Sequence, residues 1–160
     1  MRLIIAAVGR VKDGPERTLL ERYRDRFADL GKRLGLAPVA WHELAESRAA
    51  TATKRCTEEG AALLKLARDA EFIIALDERG KHLTSETFAK TLAKTRDGGA
   101  KAAGIIFGGP DGLSQAVRDA ARLQVAVGAM TLPHQLVRVL LAEQLYRAGT
   151  ILSGHPYHRA

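Results

Sequence analysis

The six residues His155-Pro156-Tyr157-His158-Arg159-Ala160 set two imidazoles, a phenol and a guanidinium around one proline. Imidazoles exchange protons near neutral pH, and a guanidinium holds anions. Chain termini are ordinarily frayed and dispensable. A terminus this rich in proton-transfer and anion-binding groups is therefore either a basic tail or part of a site. Three short turns carry a second kind of chemistry: Asp77-Glu78-Arg79-Gly80-Lys81, Gly108-Gly109-Pro110-Asp111-Gly112 and Gly128-Ala129-Met130-Thr131-Leu132-Pro133. Each combines small residues, polar groups and free backbone, as close approach to a flat or charged ligand requires.

Other chemistries find little support. Gly108 to Gly112 lacks the spacing of a dinucleotide fingerprint and the closing Gly-Lys-Ser/Thr of a P-loop, and by composition alone it is an ordinary turn. Asp77, Glu78 and Arg79, taken alone, read as a solvated charge cluster. No His, Cys, Asp and Glu set has metal-ligand spacing, so no metal is expected. A nucleophile elbow is also missing. The single cysteine, Cys56, excludes an internal disulfide.

The elements that must position these turns follow from apolar patterning. Leu3 to Val8 is a continuous apolar run, consistent with a strand buried on both faces. Pro15 suits the first turn of a helix, and Leu19, Leu20, Tyr23, Phe27 and Leu30 then recur at helical spacing until Gly31. Arg17, Arg22, Arg24 and Arg26 give that helix a basic side. A second strand is expected near Pro38 to Leu44 and a second helix over Thr51 to Ala67. Three more apolar runs, Phe72 to Leu76, Ala103 to Phe107 and Leu123 to Val127, are separated by helical stretches near Ser85 to Thr95 and Ser114 to Ala121. Strands alternating with helices predict one α/β domain over residues 1–160 with a parallel sheet. In such sheets ligands bind beyond the carboxyl ends of the strands, where the three turns fall.

The final helix, opened by Pro133, carries Leu136, Val137, Val139, Leu140, Leu141, Leu145 and Ala148 in nearly every direction. A helix apolar all round is covered on more than one side, by a partner subunit or by the rest of its own chain. Glu143 and Arg147 stand at i, i+4 spacing and can pair.

Lys and Arg total 25 against 18 Asp and Glu, a formal charge of +7. That balance favours polyanions, nucleic acid ahead of anionic membrane, although a merely basic solvated surface has the same sum. The apolar start of the chain is too short for a signal peptide, and no segment approaches the length of a membrane span. A cytoplasmic protein with no membrane partner is expected.

Three blocks carry a resemblance: Leu76 to Lys81 (LDERGK), Ile105 to Ser114 (IIFGGPDGLS), and Met130 to Arg159 (MTLPHQLVRVLLAEQLYRA followed by ILSGHPYHR). They resemble the signature blocks of the RlmH family, the bacterial 23S rRNA pseudouridine-N3-methyltransferases of the SPOUT superfamily. The likeness runs from the first strand to the last residues. It implies a homodimeric α/β fold with a mostly parallel sheet and a deep trefoil knot at the C-terminal end. It also implies S-adenosyl-L-methionine as donor, held by Leu76, Gly108 and the run Val127, Gly128, Ala129, Met130, Thr131 and Leu132. Gly128 departs from the serine common in the family, which puts one side-chain hydrogen bond to the donor in doubt.

The implied substrate is pseudouridine 1915 in helix 69 of 23S rRNA, methylated on assembled ribosomes. Its base N3 carries an imide proton that must leave, so the minimal machinery is a proton acceptor and a cation. His158 can accept the proton, Arg159 can hold phosphate or the ionised base, and Tyr157 offers a stacking face. On this reading the terminal six residues form one wall of an active site, in their own subunit or across a dimer. A SPOUT methyltransferase for another rRNA or tRNA nucleotide, or a non-catalytic ribosome-binding factor, remains the alternative.

Overall fold

The computed structural model describes residues 1–158 of the 160; the candidate Arg159 lies outside them. Along the chain come β1 (Arg2–Val8), α1 (Pro15–Arg33), β2 (Val39–Leu44), α2 (Ala52–Leu66) and β3 (Phe72–His82). There follow α3 (Ser85–Asp97), β4 (Ala102–Phe107), α4 (Gln115–Ala120), β5 (Leu123–Ala126) and α5 (His134–Ser153). The strands form one sheet in the order β2-β1-β4-β3-β5, with every neighbouring pair parallel. The α/β reading and its parallel sheet are therefore correct.

Period-two alternation sorts the central strands between two cores. Leu3, Ile5, Ile74 and Ile105 meet Phe27 of α1, Phe88 and Leu92 of α3, and Leu141 and Leu145 of α5 on one face. Ala6, Val8, Ala75 and Ile106 meet Leu63 of α2 and Val117 of α4 on the other. Every residue of β4 is buried, which is why its sequence reads as unbroken apolar. Side chains cap three helix starts: Thr51, Thr84 and Ser114 accept from the amides of Lys54, Thr87 and Val117, satisfying donors that the first turn leaves free.

One local expectation changes, and one open point is partly answered. Gly31 does not end α1 but lies buried inside it, where a Cβ would stand 3.0 Å from the Leu36 carbonyl and 3.1 Å from the Phe27 ring. Its role is close packing, and the chain turns only at Gly35, with φ of 67°. The last helix is also covered mostly by its own chain. Buried Val139 and Ala142 pack with Leu20 of α1, while α3 and the sheet take other sides. What remains open is its first turns, where Leu136 is 39% exposed.

Candidate active site

Two chain segments leave the carboxyl ends of β4 and β5, beside a third that bulges out within β3. In β3 both Leu76 and Lys81 pair with Val125, so Asp77 to Gly80 loop out of the ladder. Gly80 is needed there because a Cβ would come within 2.5 Å of the Val125 amide nitrogen. After Phe107 the chain turns through Gly108 to Gly112, closed by the Gly112 amide donating to the Gly109 carbonyl at 3.0 Å. After Ala126 the segment Val127 to Thr131 is exposed. Together they enclose a cleft of about 380 Å³, within the usual size range for small-molecule sites. Leu76, Gly108 and all of Val127 to Leu132 line it. The eight residues expected to hold a donor are thus brought together.

Charged pairs fix two walls of this cleft. Arg118 of α4 donates from Nε to Asp77 Oδ2 at 2.7 Å, with the Asp77 side chain only 3% exposed. Asp77 Oδ1 also accepts from the Arg79 amide at 3.0 Å. Asp77 is therefore not solvated charge but a buried anchor, whereas Glu78 and Arg79 beside it are exposed. Behind the second turn, Arg55 of α2 grips both oxygens of Asp111 at 2.7 and 3.0 Å, and this fork–fork pairing holds the Asp111 carboxyl below its ordinary range. Cys56 Sγ lies 3.2 Å from the Asp111 carbonyl, and burial followed by the Asp111 charge pushes its thiol up.

The glycines divide by role. A Cβ on Gly108 would fall on the Gly112 carbonyl, so this glycine makes room for its own loop rather than for a ligand. A bulky side chain at Gly108 would therefore disturb the turn itself. Gly128, by contrast, has nothing within 4 Å of its Cβ position. Bare backbone and open space are what a flat adenine edge or a ribose could use, and Leu76 and Leu132 supply apolar surface in the same cleft. The residues present fit the donor that the family resemblance implies.

The terminal segment takes another place. Gly154 ends α5 in the left-handed conformation, φ 68°, and reverses the chain. The Tyr157 hydroxyl donates to Glu143 Oε1 at 3.2 Å, and its ring meets the Tyr146 ring edge-on at 4.8 Å. Arg147, paired with Glu143 as its spacing predicts, lies 4.9 Å from the Tyr157 ring centre. Burial, then bonding to Tyr23 and the Glu143 charge, push the Tyr157 phenol up to about 12. His158 Nε2 stands 2.7 Å from Glu86 Oε1, while its Nδ1 is buried without a partner among the described residues. None of residues 155–158 lines the cleft of their own chain. The cleft lies at the start of α5, where His134 and Val137 line it, and a 20-residue helix is about 30 Å long.

The whole described chain matches one family model, predicted SPOUT methyltransferase, over residues 1–158. The chain belongs to the SPOUT methyltransferases. Among its SPOUT relatives is ribosomal RNA large subunit methyltransferase H of Xanthobacter autotrophicus, 57% identical over 160 residues and covering 100% of both chains. The protein of the same name from Nitrobacter winogradskyi is 55% identical over 159 residues, 99% of each chain. Solved structures share the fold. A putative methylase family protein of Neisseria gonorrhoeae aligns with TM-score 0.51 at 14% identity, over 98% of this chain and 94% of that one. A probable methylase family protein of Haemophilus influenzae aligns with TM-score 0.51 at 11% identity, over 99% and 70%.

Two residues of this SPOUT chain escaped sequence reasoning. Arg138, 3% exposed in α5, donates through Nη1 to Glu43 Oε1 at 2.9 Å and through Nη2 to the carbonyls of Val8 and Gly9. A lone cation inside the apolar run LVRVLL was the available signal. Glu59, 5% exposed in α2, accepts from the Ser47 amide at 2.8 Å; nothing in its EEG context sets it apart from a surface acid. Among the described residues no group of three or more acids, histidines or cysteines is placed to hold a metal, and no helix is long and apolar enough to cross a membrane.

Proposed function

We propose that this protein is an S-adenosyl-L-methionine-dependent 23S rRNA methyltransferase acting on N3 of pseudouridine 1915, in helix 69, on assembled ribosomes in the cytoplasm. The single observation that carries the reading is the convergence of Leu76, Gly108 and Val127 to Leu132 on one cleft, in a chain more than half identical to relatives named for large-subunit rRNA methylation. The charge of +7 suits docking on a large RNA surface without a separate RNA-binding domain.

When bound, the donor supplies an electrophilic methyl group. The protein's part is to hold donor and base in register and to manage the imide proton. Leu76 and Leu132 would supply the apolar surface for the adenine ring, and main-chain groups of residues 127–132 would read its edge. His158 takes the N3 proton on its ring. Arg159 holds the resulting anion or a neighbouring phosphate. Tyr157, neutral with its phenol pushed up to about 12, provides a stacking face and is not the base.

The terminal segment acts in the cleft of a second subunit, because in their own chain Tyr157 and His158 pack on Glu143, Tyr146 and Glu86 and stay out of the cleft. A homodimer with a knotted C-terminal half is part of the proposal. Exposed Val127, Met130 and Leu136, at 42%, 81% and 39%, lie at the cleft and the start of α5 and give a partner apolar surface to cover. The test is mass spectrometry of 23S rRNA from a strain lacking this protein. Loss of one methyl group at pseudouridine 1915, restored by the gene, is expected; an unchanged methylation pattern would overturn the reading.

A further inference from the structure

A second cavity, of about 220 Å³, lies between α1, the edge strand β2 and the start of α5. Phe107 lines both this cavity and the cleft described above, so the two adjoin across one ring. The other walls are chemically specific: Arg24, Trp41, His42, Glu43 and Arg138. Trp41 is half-buried, and the Arg24 guanidinium lies 5.1 Å from its ring centre. At the inner end is Arg138, whose guanidinium carbon is 5.5 Å from the centre of the Phe107 ring. Two of its nitrogens are engaged, but its Nε is buried without a partner among the described residues.

We propose that this cavity is a nucleobase pocket, which takes the unpaired uracil-type base of a nucleotide flanking the methylated one. The proposal rests on the reading that the chain acts on RNA. The cavity is smaller than the roughly 300–1,000 Å³ typical of sites for whole drug-sized ligands, which suits one planar ring. Single-stranded bases are bound by stacking on aromatic faces and arginine planes. Arg24 is exposed and occupies the Trp41 face as a base would; on binding it yields that face and turns to phosphate. A uracil-type edge presents a carbonyl beside an imide N–H. Arg138 supplies a donor for the first and the Glu43 carboxylate an acceptor for the second. Phe107 separates this base from the cleft, so the occupant is a neighbour of the target.

Trp41 is the only tryptophan of the chain, so its fluorescence reports on the surroundings of this one ring, which lines this cavity and a neighbouring one of about 220 Å³. Titration with single-stranded oligouridylate should quench it saturably, and an abasic oligomer of the same length should not. On ribosomes, Trp41→Ala should raise KM roughly 5- to 150-fold, the range of one lost base stack, with kcat and calorimetric donor binding unchanged. Trp41→Phe should restore KM, and Arg24→Ala, at an exposed position, should raise it without touching the fold. Equal quenching by the abasic oligomer, or an unchanged KM in both Trp41→Ala and Arg24→Ala, overturns the pocket. So does emission that follows protein concentration rather than RNA, which would mean a second copy fills it. A wild-type protein that leaves ribosomes unmethylated while oligouridylate still quenches Trp41 would sink the rRNA reading and leave the pocket standing.

Discussion

Arg118 and Asp77 join the helix between β4 and β5 to the loop that leaves β3, through one 2.7 Å bond at the wall of the cleft. Asp77 is the more deeply buried partner and also turns its own loop by accepting from the Arg79 amide. Replacing Asp77 by alanine leaves Arg118 facing a low-dielectric wall without its acceptor, which costs about 1–3 kcal/mol. The expected outcome is a lower urea midpoint with unchanged slope, and weaker donor binding by calorimetry. Asp77→Asn keeps an acceptor for Arg118 and should lose less. Equal stability of Asp77→Ala and wild type would show that the pair contributes nothing.

The two cleft glycines should respond oppositely to the same small addition. At Gly108 a methyl group meets the Gly112 carbonyl, so Gly108→Ala distorts the turn at a cost of about 1–3 kcal/mol, as overpacking does. At Gly128 the space is open, and Gly128→Ser should change stability by less than about 0.5 kcal/mol. Thermal unfolding of the two variants decides the point. Donor affinity of Gly128→Ser, measured by calorimetry, should match or exceed that of wild type, because a hydroxyl is added where nothing obstructs it.

Deleting residues 155–160 should leave donor binding nearly unchanged and abolish methylation of ribosomes. The residues proposed to hold the donor all line the cleft, whereas positioned acid–base groups contribute about a hundred- to ten-thousand-fold to rate. If the segment acts across a dimer, mixing truncated subunits with subunits carrying a disrupted cleft restores one working site per heterodimer. Activity regained on mixing supports action in the partner; near-normal turnover by the truncated protein alone returns the segment to being a tail.

Cys56 should be a slow thiol. Its Sγ–H donates to the Asp111 carbonyl at 3.2 Å, and burial, reinforced by the Asp111 charge, raises its pKa. The thiolate is the reactive form, so a raised pKa means less thiolate at neutral pH and a rate that keeps climbing through the alkaline range. Reaction with a chromogenic disulfide should lag a free cysteine at pH 7.5 and still be rising at pH 9. A rate that levels off below pH 8 would contradict the burial of this side chain.

Much of the framework was legible from residue order because it rests on short-range rules. Continuous apolar runs such as Leu3 to Val8 can be satisfied only by burial on both faces, and strands alternating with helices leave a parallel sheet as the economical arrangement. The three turns of the candidate cleft were legible for the same reason: they follow strand ends, where parallel sheets open toward a ligand. Gly31 shows the limit. A glycine near the end of a periodic segment reads as a stop, yet its missing side chain serves contact with Phe27 and Leu36, which are neighbours only in the folded chain.

Residue types by themselves determined the sheet class, the basic balance and the turns that carry the cleft. Tertiary structure alone decided which charges are buried and which groups meet. Asp77 and Arg118 are 41 positions apart, and Glu43 and Arg138 are 95 apart. No local pattern encodes such pairs, because each depends on sheet order and helix placement together. The same holds for Tyr157 and His158. Their types announced chemistry, but only the reversal at Gly154 and the packing on Glu143 and Glu86 take them away from the cleft of their own chain. Side-chain chemistry is local, whereas its address in space is set by the long-range burial of everything else.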